Sequence, residues 1–283
     1  MRATAVSSRE PGFLDRLDLA LLRLAKRRRD HLTRPPDFYE AFFTDDDVRK
    51  STGDVRHAWR FGVVRRVYDR LFPEGADAVD VGCGLGACLL YLPENARFVG
   101  VDVSARSLAA ARARSPEGAE FRRGGFPSLP TEPASFDFAV CLEVLEHVED
   151  DEQAASELGR ILRPGGYLLV SVPRTHYWSE YRRLIGHLRH YTAASLDDLV
   201  AAAGFEVVER IPQFARLWRA YHYLYLGLRT MEIGVRGAGR RGWSIFDSAG
   251  YRRLSARLLR RLEARSGAPD PASTFVLYRK ATS

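Results

Sequence analysis

The chain has 283 residues, of which 46% are hydrophobic and 11% aromatic, so it can bury a large core and is not intrinsically disordered. No stretch contains the ~20 uncharged apolar residues that a bilayer-spanning helix needs, which excludes a transmembrane helix. The net charge is +7, and the basic residues are nearly all arginine. Two interpretations stay open: a biased composition, or an anionic partner such as a membrane surface or nucleic acid.

The three cysteines, Cys83, Cys88 and Cys141, lie in or beside apolar runs and do not have the spacing of a disulfide framework. We expect them to be reduced core residues, as in a cytoplasmic protein. The first thirty residues carry a basic run after their apolar stretch, the reverse of the order in a secretion signal. Both observations predict a cytoplasmic location, with peripheral contact at a membrane left open.

Residues 13–33 have leucines on one side and basic residues on the other, which predicts an amphipathic helix that ends before Pro35 and Pro36. The stretches "PDFYEAFF" and "DVRHAWRFGVVRRVYDRLF" predict two further helical pieces, the second closed by Pro73. Residues 1–54 are therefore expected to form a helical cap ahead of the main domain.

From residue 76 onward, short β-branched runs alternate with helical stretches. The runs are "DAVDV", "RFVGVDV", "EFRRG", "FDFAVCL" and "GYLLVSVP", and the helical stretches include "SARSLAAARAR" and "EDDEQAASELGRILR". Repeated strand–helix units predict a mostly parallel sheet with helices on both faces, that is, a Rossmann-like α/β fold. A helix capped by Thr192 follows, and "FEVVERI" and the distant "STFVLYRK" are expected to complete the sheet.

Residues 212–272 separate those last two strands and are rich in aromatic residues and arginine, as in "FARLWRAYHYLYLGLRTMEIGVRGAGRRGWS". A structureless loop of this length is rare in compact domains, so the segment is predicted to be helical. Three roles stay open: a lid over an apolar or lipid-linked substrate, a membrane-surface helix, and a packing surface within a monomer or a homodimer. The main domain then comprises residues 55–211 and 273–283.

The stretch "VDVGCGLGACL" predicts a strand that runs into a glycine-rich turn and then a helix. Gly82, Gly84 and Gly86 allow a tight turn and the close approach of a ligand to the backbone. Their G-x-G-x-G spacing differs from the G-x-G-x-x-G of dinucleotide sites, and Asp80 suits a cationic amino group better than a pyrophosphate. Asp102 ends the second strand, where a carboxylate can hold the two hydroxyls of a ribose.

In their order along the chain, "VDVGCGLGACL", "FVGVDVS", "SFDFAVCLEVLEHV", "LRPGGYLLVSVP" and "HLRHYTAASLDDLVAAAGFEVVE" resemble the motifs of class I S-adenosylmethionine-dependent methyltransferases. The resemblance covers roughly residues 76–211 and 273–281 and is specific for the superfamily rather than for a substrate. It implies S-adenosyl-L-methionine as the cofactor. It also implies a seven-stranded sheet whose last strand is antiparallel and lies beside the sixth.

The resemblance assigns the cofactor contacts as well. Asp80 and the glycine turn would face the methionine part of the cofactor, and Asp102 would hold the ribose. Many members carry an acid after the third strand, but "RRGGFPSLP" has Gly125 there, followed by Phe126 as a ring that can stack on adenine. The implied cofactor contacts are Asp80, Gly82, Cys83, Gly84, Gly86, Asp102, Val103, Gly125, Phe126, Leu142 and Glu143.

The apolar run of the fourth strand stops at Glu143, and Glu146 and His147 follow at once. Positions i, i+3 and i+4 of a helical turn share one face, so these side chains are expected to meet. Their oxygen and nitrogen atoms suit Mg²⁺, Mn²⁺, Co²⁺ or Zn²⁺. The pattern E-x-x-E-H resembles the metal-binding signature of the plant small-RNA 2′-O-methyltransferase and of ubiquinone-pathway O-methyltransferases, and His187 or His190 would complete it.

Two other roles stay open for this element. Glu146, His147 and His190 can act on the acceptor as acids or bases without a metal. Alternatively, the acidic residues only favour the start of the next helix through its dipole. The stretch "VPRTHYWSEYRRLIGHLRHYT", which leaves the fifth strand, is rich in histidine and aromatic residues and is predicted to cross the top of the site.

These features predict an enzyme that transfers a methyl group from S-adenosyl-L-methionine to a small-molecule acceptor, with a hydroxyl oxygen favoured by the E-x-x-E-H element alone. Two alternatives remain. An RNA 2′-O-methyltransferase is disfavoured because no RNA-binding module and no stacking platform is visible. A cofactor-binding scaffold without transferase activity is the other alternative, since motifs for cofactor binding do not prove turnover.

Overall fold

The computed structural model describes residues 39–40, 55–116, 119–173, 186–212 and 273–282. The α-helices within these residues are α1 (Val55–Leu71), α2 (Ala105–Arg112), α3 (Asp151–Ile161) and α4 (Ala193–Ala202). The strands are β1 (Asp77–Val81), β2 (Arg97–Asp102), β3 (Glu120–Arg123), β4 (Phe136–Leu142), β5 (Leu162–Pro173), β6 (Phe205–Pro212) and β7 (Ser273–Lys280). Short 3₁₀ turns are formed by Leu89–Tyr91 and Leu145–His147.

The seven described strands form one sheet in the order β3-β2-β1-β4-β5-β7-β6. Strands β1 to β5 are parallel to their neighbours among these five, whereas β7 is antiparallel to both β5 and β6. The direction of winding reverses between β1 and β4. Open α/β sheets bind their ligands at such a reversal, at the carboxyl ends of the strands, so the site is expected where β1 and β4 end.

Both faces of the sheet are covered, which explains why its strands are almost continuously apolar. On one face, Leu158 of α3 and Leu196 of α4 pack in a core with β-strand residues such as Val79. On the other face, Val64 and Tyr68 of α1 pack in a second core with further strand residues. The central strands are thereby fixed from two sides, which gives the side chains at their carboxyl ends a rigid base.

Three helices begin at that same edge of the sheet, each with a side-chain cap. The side chains of Ser104, Asp150 and Thr192 accept hydrogen bonds from the backbone amide three residues further on, at the starts of α2, α3 and α4. Such caps satisfy amides that have no partner inside the helix. They fix the loops that leave β2 and β4 close to the strand ends.

The predicted α/β class, the seven strands and the antiparallel last strand are confirmed. The helix predicted directly after the glycine turn is wrong, because only the 3₁₀ turn Leu89–Tyr91 forms there. Pro93 explains the difference: proline lacks a backbone N–H and disfavours helical backbone at the residue before it. Leu92 is accordingly extended, with φ −76° and ψ 154°.

Several predicted segments lie outside the described residues. They are the amphipathic helix at 13–33, the part of the segment crossing the site at 174–185, and residues 213–272 of the proposed insertion. The domain boundaries therefore stay predictions. Tyr39 and Glu40, which lie in the predicted helical stretch "PDFYEAFF", form a turn. In the part of the chain that the structure describes, no helix is long and apolar enough to cross a bilayer.

Candidate active site

The glycine turn continues the pairing of β1 with β2 beyond the strand end. The amides of Gly82 and Cys83 both donate to the carbonyl oxygen of Val101, at 2.8 and 3.0 Å. Gly82 has a φ of +78°, in the left-handed region that favours glycine. A Cβ atom added to Gly82 would lie 2.4 Å from Cγ2 of Val144, in the loop that leaves β4. The missing side chain therefore lets the two loops at the winding reversal pack together.

We expect Gly82→Ala to lower the free energy of unfolding by about 2–5 kcal/mol, from the left-handed backbone and the overlap with Val144 together. Gly204→Ala is the matched control, because Gly204 has a φ of +83° with no atom within 4 Å of an added Cβ. It should cost only about 1–2 kcal/mol. Urea unfolding measures both, and Val144→Ala in the Gly82→Ala background should recover part of the loss. Equal costs for the two glycines would contradict the close packing.

Asp102 holds the glycine turn in place. One carboxylate oxygen accepts a hydrogen bond from the amide of Gly84 at 2.8 Å, and the other accepts one from the amide of Ser104 at 2.9 Å. Burial raises the pKa of the Asp102 carboxyl, while these hydrogen bonds act in the opposite direction. Asp102 therefore has a structural role at this edge in addition to the ribose contact that the sequence predicts.

Asp80, at the end of β1, is almost completely buried, with 4% of its surface exposed. Burial, reinforced by the charge of Asp102, raises the pKa of Asp80 to about 7. A buried carboxylate without a countercharge is costly, so the position suits a ligand with an ammonium group. Asp80 therefore has the environment expected of a residue that holds the amino group of a cofactor.

The candidate adenine contacts lie where β2 and β3 end. Val103 is exposed over 44% of its surface, and a Cβ added to Gly125 would lie 2.5 Å from Cγ1 of Val103. A side chain at position 125 would therefore displace the Val103 methyl group, whether or not adenine binds there. Gly125 forms an isolated bridge with Ser128. Phe126 is partly buried against the main core cluster, and its stacking on adenine stays a prediction.

Three further candidate contacts are buried beside the turn. Cys83 and Leu142 are exposed over 7% and 9% of their surface, and burial raises the pKa of the Cys83 thiol. A Cβ on Gly86 would lie 2.8 Å from the Cβ of Ala111 in α2, so Gly86 allows the helix to approach the turn. The burial of the thiol disfavours a thiolate, which makes Cys83 a packing residue rather than a nucleophile.

Glu143 follows β4 with a φ of +57°, which is unusual for a residue other than glycine. Its amide donates to the carbonyl oxygen of Ser171 at 2.8 Å, and Oε1 accepts from the Ser171 hydroxyl at 2.9 Å. Its other oxygen lies 3.9 Å from a guanidinium nitrogen of Arg60. The expectation that Glu143 shares a helical face with Glu146 and His147 is wrong, because Glu143 is not in the turn that follows.

Glu146, in the 3₁₀ turn after β4, is completely buried. Neither carboxylate oxygen has a hydrogen-bond partner among the described residues. Nε2 of His147 and Nε2 of His187 lie 4.0 and 3.8 Å from Oε1 of Glu146. Burial raises the pKa of the Glu146 carboxyl well above its ordinary value, and the charge of Glu143 raises it further. We call Glu146, His147 and His187 the polar cluster.

The hydrogen bonds on the far side of the rings determine how the imidazoles face Glu146. Nδ1 of His147 lies 3.0 Å from the carbonyl oxygen of Gly186. Because that oxygen can only accept, Nδ1 carries the hydrogen, and in the neutral imidazole Nε2 then directs its lone pair towards the carboxylate. Nδ1 of His187 lies 2.9 Å from Nε2 of His190. His190 thus contacts the polar cluster through His187, without being a member of it.

The segment that carries His187 is fixed to the exit of β4 by several contacts. The amide of Leu188 donates to the carbonyl oxygen of Glu146 at 2.8 Å. The hydroxyl of Tyr191 donates to Asp151 at 2.7 Å and lies 3.2 Å from the carbonyl oxygen of Leu145. These bonds bring together residues about forty positions apart, which the spacing of the sequence does not reveal.

Sequence reasoning missed three residues that border the site. Tyr39 packs its ring edge-on against His147, and Glu40 binds the start of α2. Arg60 of α1 lies beside Glu143. Nothing in the local pattern distinguishes these three residues, since the helical period of the surrounding stretches explains them as surface or packing positions.

The sequence profile of a family described as "Methyltransferase domain" matches residues 56–210, more than half of the chain. A Mycolicibacterium smegmatis protein named "Probable S-adenosylmethionine-dependent methyltransferase" is 38% identical over 154 residues, which cover 52% of this chain and 60% of the relative. A ubiquinone biosynthesis O-methyltransferase of Idiomarina loihiensis is 35% identical over 117 residues, covering 40% and 47%. The chain thus spans 60% or less of the length of these relatives.

A solved structure shows the same fold. The phosphoethanolamine N-methyltransferase 2 of Haemonchus contortus, in complex with S-adenosyl-L-methionine, superposes with a TM-score of 0.57 at 15% identity, covering 88% of this chain and 59% of that one. The family match covers all but the first residue of α1, all of β1 to β5 and most of β6, including Asp80, the glycine turn and Asp102. The chain therefore belongs to the methyltransferase-domain family and has the Rossmann-like fold of the class I S-adenosylmethionine-dependent methyltransferases.

Proposed function

We propose that this chain is an enzyme that transfers the methyl group of S-adenosyl-L-methionine to a hydroxyl oxygen of a small-molecule acceptor. The observation that supports the proposal most is the polar cluster, a buried carboxylate with two imidazoles beside it, at the winding reversal of the sheet. The ubiquinone biosynthesis O-methyltransferase relative, at 35% identity over 117 residues, adds support for oxygen as the acceptor atom.

The ends of β1 and β2 fit the proposed cofactor. The buried carboxyl of Asp80 would pair with the ammonium group, which offsets the cost of keeping it ionised. Asp102 already fixes the glycine turn through Gly84 and would accept the ribose hydroxyls with its remaining lone pairs. When bound, S-adenosyl-L-methionine supplies an electrophilic methyl group on a positively charged sulfur.

The residues of the chain would serve the reaction by alignment and by removal of a proton. Methyl transfer needs the acceptor oxygen in line with the methyl–sulfur bond, and it needs that oxygen deprotonated. Glu143 keeps an unusual backbone conformation between the two halves of the site, supported by Ser171 and Arg60. Such a residue is a candidate for function, and we propose it as a cofactor contact.

We further propose that the polar cluster binds a divalent metal ion. One ligand atom from each of Glu146, His147 and His187 lies within 4.8 Å of the others. Both oxygens of Glu146 lack a hydrogen-bond partner among the described residues, and the bond from His147 to Gly186 is the support that metal-binding imidazoles usually have. Two imidazole nitrogens favour Zn²⁺, Co²⁺ or Mn²⁺ over Mg²⁺. A metal at this position lowers the pKa of a bound hydroxyl and orients a vicinal diol.

The same cluster also suits a reaction without a metal. Nε2 of His147 directs a lone pair into the site, and a neutral imidazole there can accept the proton of the acceptor. Glu146 would then be protonated, in keeping with its raised pKa. Both versions require the polar cluster, and they differ in their response to a chelator.

The decisive assay measures S-adenosylhomocysteine produced from S-adenosyl-L-methionine with a panel of acceptors. The panel contains catechols with and without a prenyl tail, the corresponding monophenols, an amine of similar size, and a short RNA. We expect turnover on catechols in preference to the amine and the RNA. Loss of turnover in EDTA that is restored by Zn²⁺, Co²⁺ or Mn²⁺ would support a metal ion in the polar cluster. Unchanged turnover in EDTA would support His147 as the base.

Two outcomes would contradict the proposal. Methylation of the amine alone would assign nitrogen as the acceptor atom. Cofactor binding without turnover on any member of the panel, together with full retention of that binding by a Glu146→Ala, His147→Ala double variant, would favour a cofactor-binding scaffold. Preference for the prenylated catechols would support an apolar or lipid-linked acceptor.

A further inference from the structure

Glu40 is bound to the first turn of α2, more than sixty positions further along the chain. Its carboxylate accepts hydrogen bonds from the backbone amides of Ala105 at 2.9 Å and Arg106 at 3.1 Å, and from the Ser104 hydroxyl at 3.0 Å. Arg123 adds an ion pair at 3.3 Å. The bonds to the amides of Arg106 and Ala105 are the main reason that the pKa of Glu40 lies below its ordinary value.

This anchor suits a carboxylate because the first amides of a helix have no acceptor within the helix and carry partial positive charge. Ser104 is two residues after Asp102, so the anchor lies at the end of β2 beside the proposed ribose contact. Glu40 thus connects a distant part of the chain to the cofactor side of the site.

Tyr39, the residue before Glu40, contacts the opposite side of the site, where the polar cluster lies. Its ring lies edge-on to His147, with the centroids 6.0 Å apart and the planes at 84°. His147 belongs to the polar cluster after β4, and β1 lies between β2 and β4 in the sheet. Neighbouring strands are about 4.8 Å apart, so the two contacts are separated by roughly 10 Å across the end of β1.

We propose that Tyr39 and Glu40 form a latch that crosses the end of β1 and retains the cofactor in the glycine turn during the reaction. The latch rests on the proposed function, because it assumes S-adenosyl-L-methionine at Asp80 and Asp102. Glu40 is its positioning residue, held by the start of α2. Tyr39 closes it against His147 and separates the cofactor from the acceptor side. Release of the cofactor product then requires the contacts of Glu40 to break.

The latch makes a kinetic prediction that does not depend on the identity of the acceptor. Glu40→Ala and Tyr39→Ala should each accelerate the dissociation of S-adenosylhomocysteine by about tenfold or more, which corresponds to about 1.4 kcal/mol. The double variant should dissociate no faster than the faster single variant, because either change opens the same latch. Tyr39→Phe, which keeps the ring, should retain the wild-type rate.

The measurement uses radiolabelled S-adenosylhomocysteine bound to the full chain, diluted into an excess of the unlabelled compound and sampled on filters. Glu40→Gln keeps the shape of the side chain and guards against a variant that fails to fold, and circular dichroism checks each variant. Glu74→Ala, an exposed glutamate after α1, is the matched control and should leave the rate unchanged.

The outcomes separate the latch from its alternatives. If Glu40→Ala and Glu40→Gln lower the melting temperature but leave the dissociation rate unchanged, Glu40 only caps α2 and the latch is wrong. Independent, additive effects of the two alanine variants would also contradict a shared latch. A wild-type chain that binds neither S-adenosylhomocysteine nor S-adenosyl-L-methionine would instead contradict the proposed function itself.

Discussion

Asp80→Asn should abolish the binding of S-adenosyl-L-methionine and at the same time stabilise the cofactor-free protein at pH 8. Burial, together with the charge of Asp102, raises the pKa of Asp80 from 3.8 to about 7. Keeping the carboxyl ionised at pH 8 therefore costs up to about 4 kcal/mol, at about 1.4 kcal/mol per pKa unit. Asparagine has nearly the same shape and removes that cost, but it cannot balance the ammonium group of the cofactor.

The effect has a definite dependence on pH. Because the pKa of Asp80 is higher in the folded than in the unfolded state, its ionisation destabilises the fold progressively as the pH rises from about 4 to about 7. The difference in melting temperature between Asp80→Asn and the wild type should thus be small below about pH 4, intermediate near pH 5 and largest, at several degrees, at pH 8. In the same range, the affinity of the wild type for the cofactor should fall as Asp80 becomes protonated, by up to about tenfold per pH unit below 7.

Differential scanning fluorimetry and isothermal titration calorimetry across this pH range measure both effects. Asp69→Asn is the control, since Asp69 forms an exposed ion pair with Arg65 on α1 and should change neither quantity noticeably. An Asp80→Asn variant that binds the cofactor as tightly as the wild type would refute the role of Asp80. An Asp80→Asn variant that is less stable than the wild type at pH 8 would contradict the expected cost of burying the ionised carboxylate of Asp80.

Glu146→Gln should strongly weaken metal binding and abolish turnover without destabilising the protein. Both oxygens of Glu146 are buried and lack a hydrogen-bond partner among the described residues, so the carboxylate contributes little to the fold in the absence of a cation. Glutamine preserves the volume, and its amide can donate to the lone pair of His147. The affinity for Zn²⁺ or Mn²⁺ should fall by about 100-fold or more, because one of three ligands is lost.

Calorimetric titration with Zn²⁺ and with Mn²⁺ measures this affinity, and thermal unfolding in EDTA measures the stability. Glu149→Gln, an exposed glutamate in the same loop, is the matched control and should retain the affinity. Unchanged metal binding by Glu146→Gln would contradict the proposed site. A wild type that binds neither ion, together with loss of turnover in Glu146→Gln, would leave the metal-free acid–base role of the cluster as the explanation.

Most of the fold could be predicted from the sequence because most strands coincide with short apolar runs, and the helices α2, α3 and α4 coincide with helical patterns between them. The antiparallel last strand, however, follows from the resemblance to a family and not from the run "STFVLYRK" itself. The prediction of a helix after the glycine turn was wrong. The sequence pattern there favours a helix, but Pro93 disfavours helical backbone at the residue before it. Local propensity thus predicts whether a segment favours helix or strand, whereas a single proline can decide how far the element extends.

The site was predictable wherever a strand end determines the position of a side chain. Asp80 and Asp102 follow directly from the ends of β1 and β2. The position of Glu143 could not be predicted, because a positive φ rotates its side chain away from the face that the spacing suggests. Tyr39 and Glu40 could not be predicted either, because a contact across more than sixty positions leaves no periodic signal in the chain.

The position of β7 has a consequence for biosynthesis. Among the described strands, β6 pairs with β7 alone, and residues 213–272 separate the two along the chain. At roughly 5–20 residues per second, the ribosome completes β6 about 3–12 s before it begins β7. During that interval β6 has no sheet partner, while β1 to β5 can already pair in parallel. During this period the edges of β6 are accessible to chaperones or to aggregation. The period ends only when β7 inserts between β5 and β6.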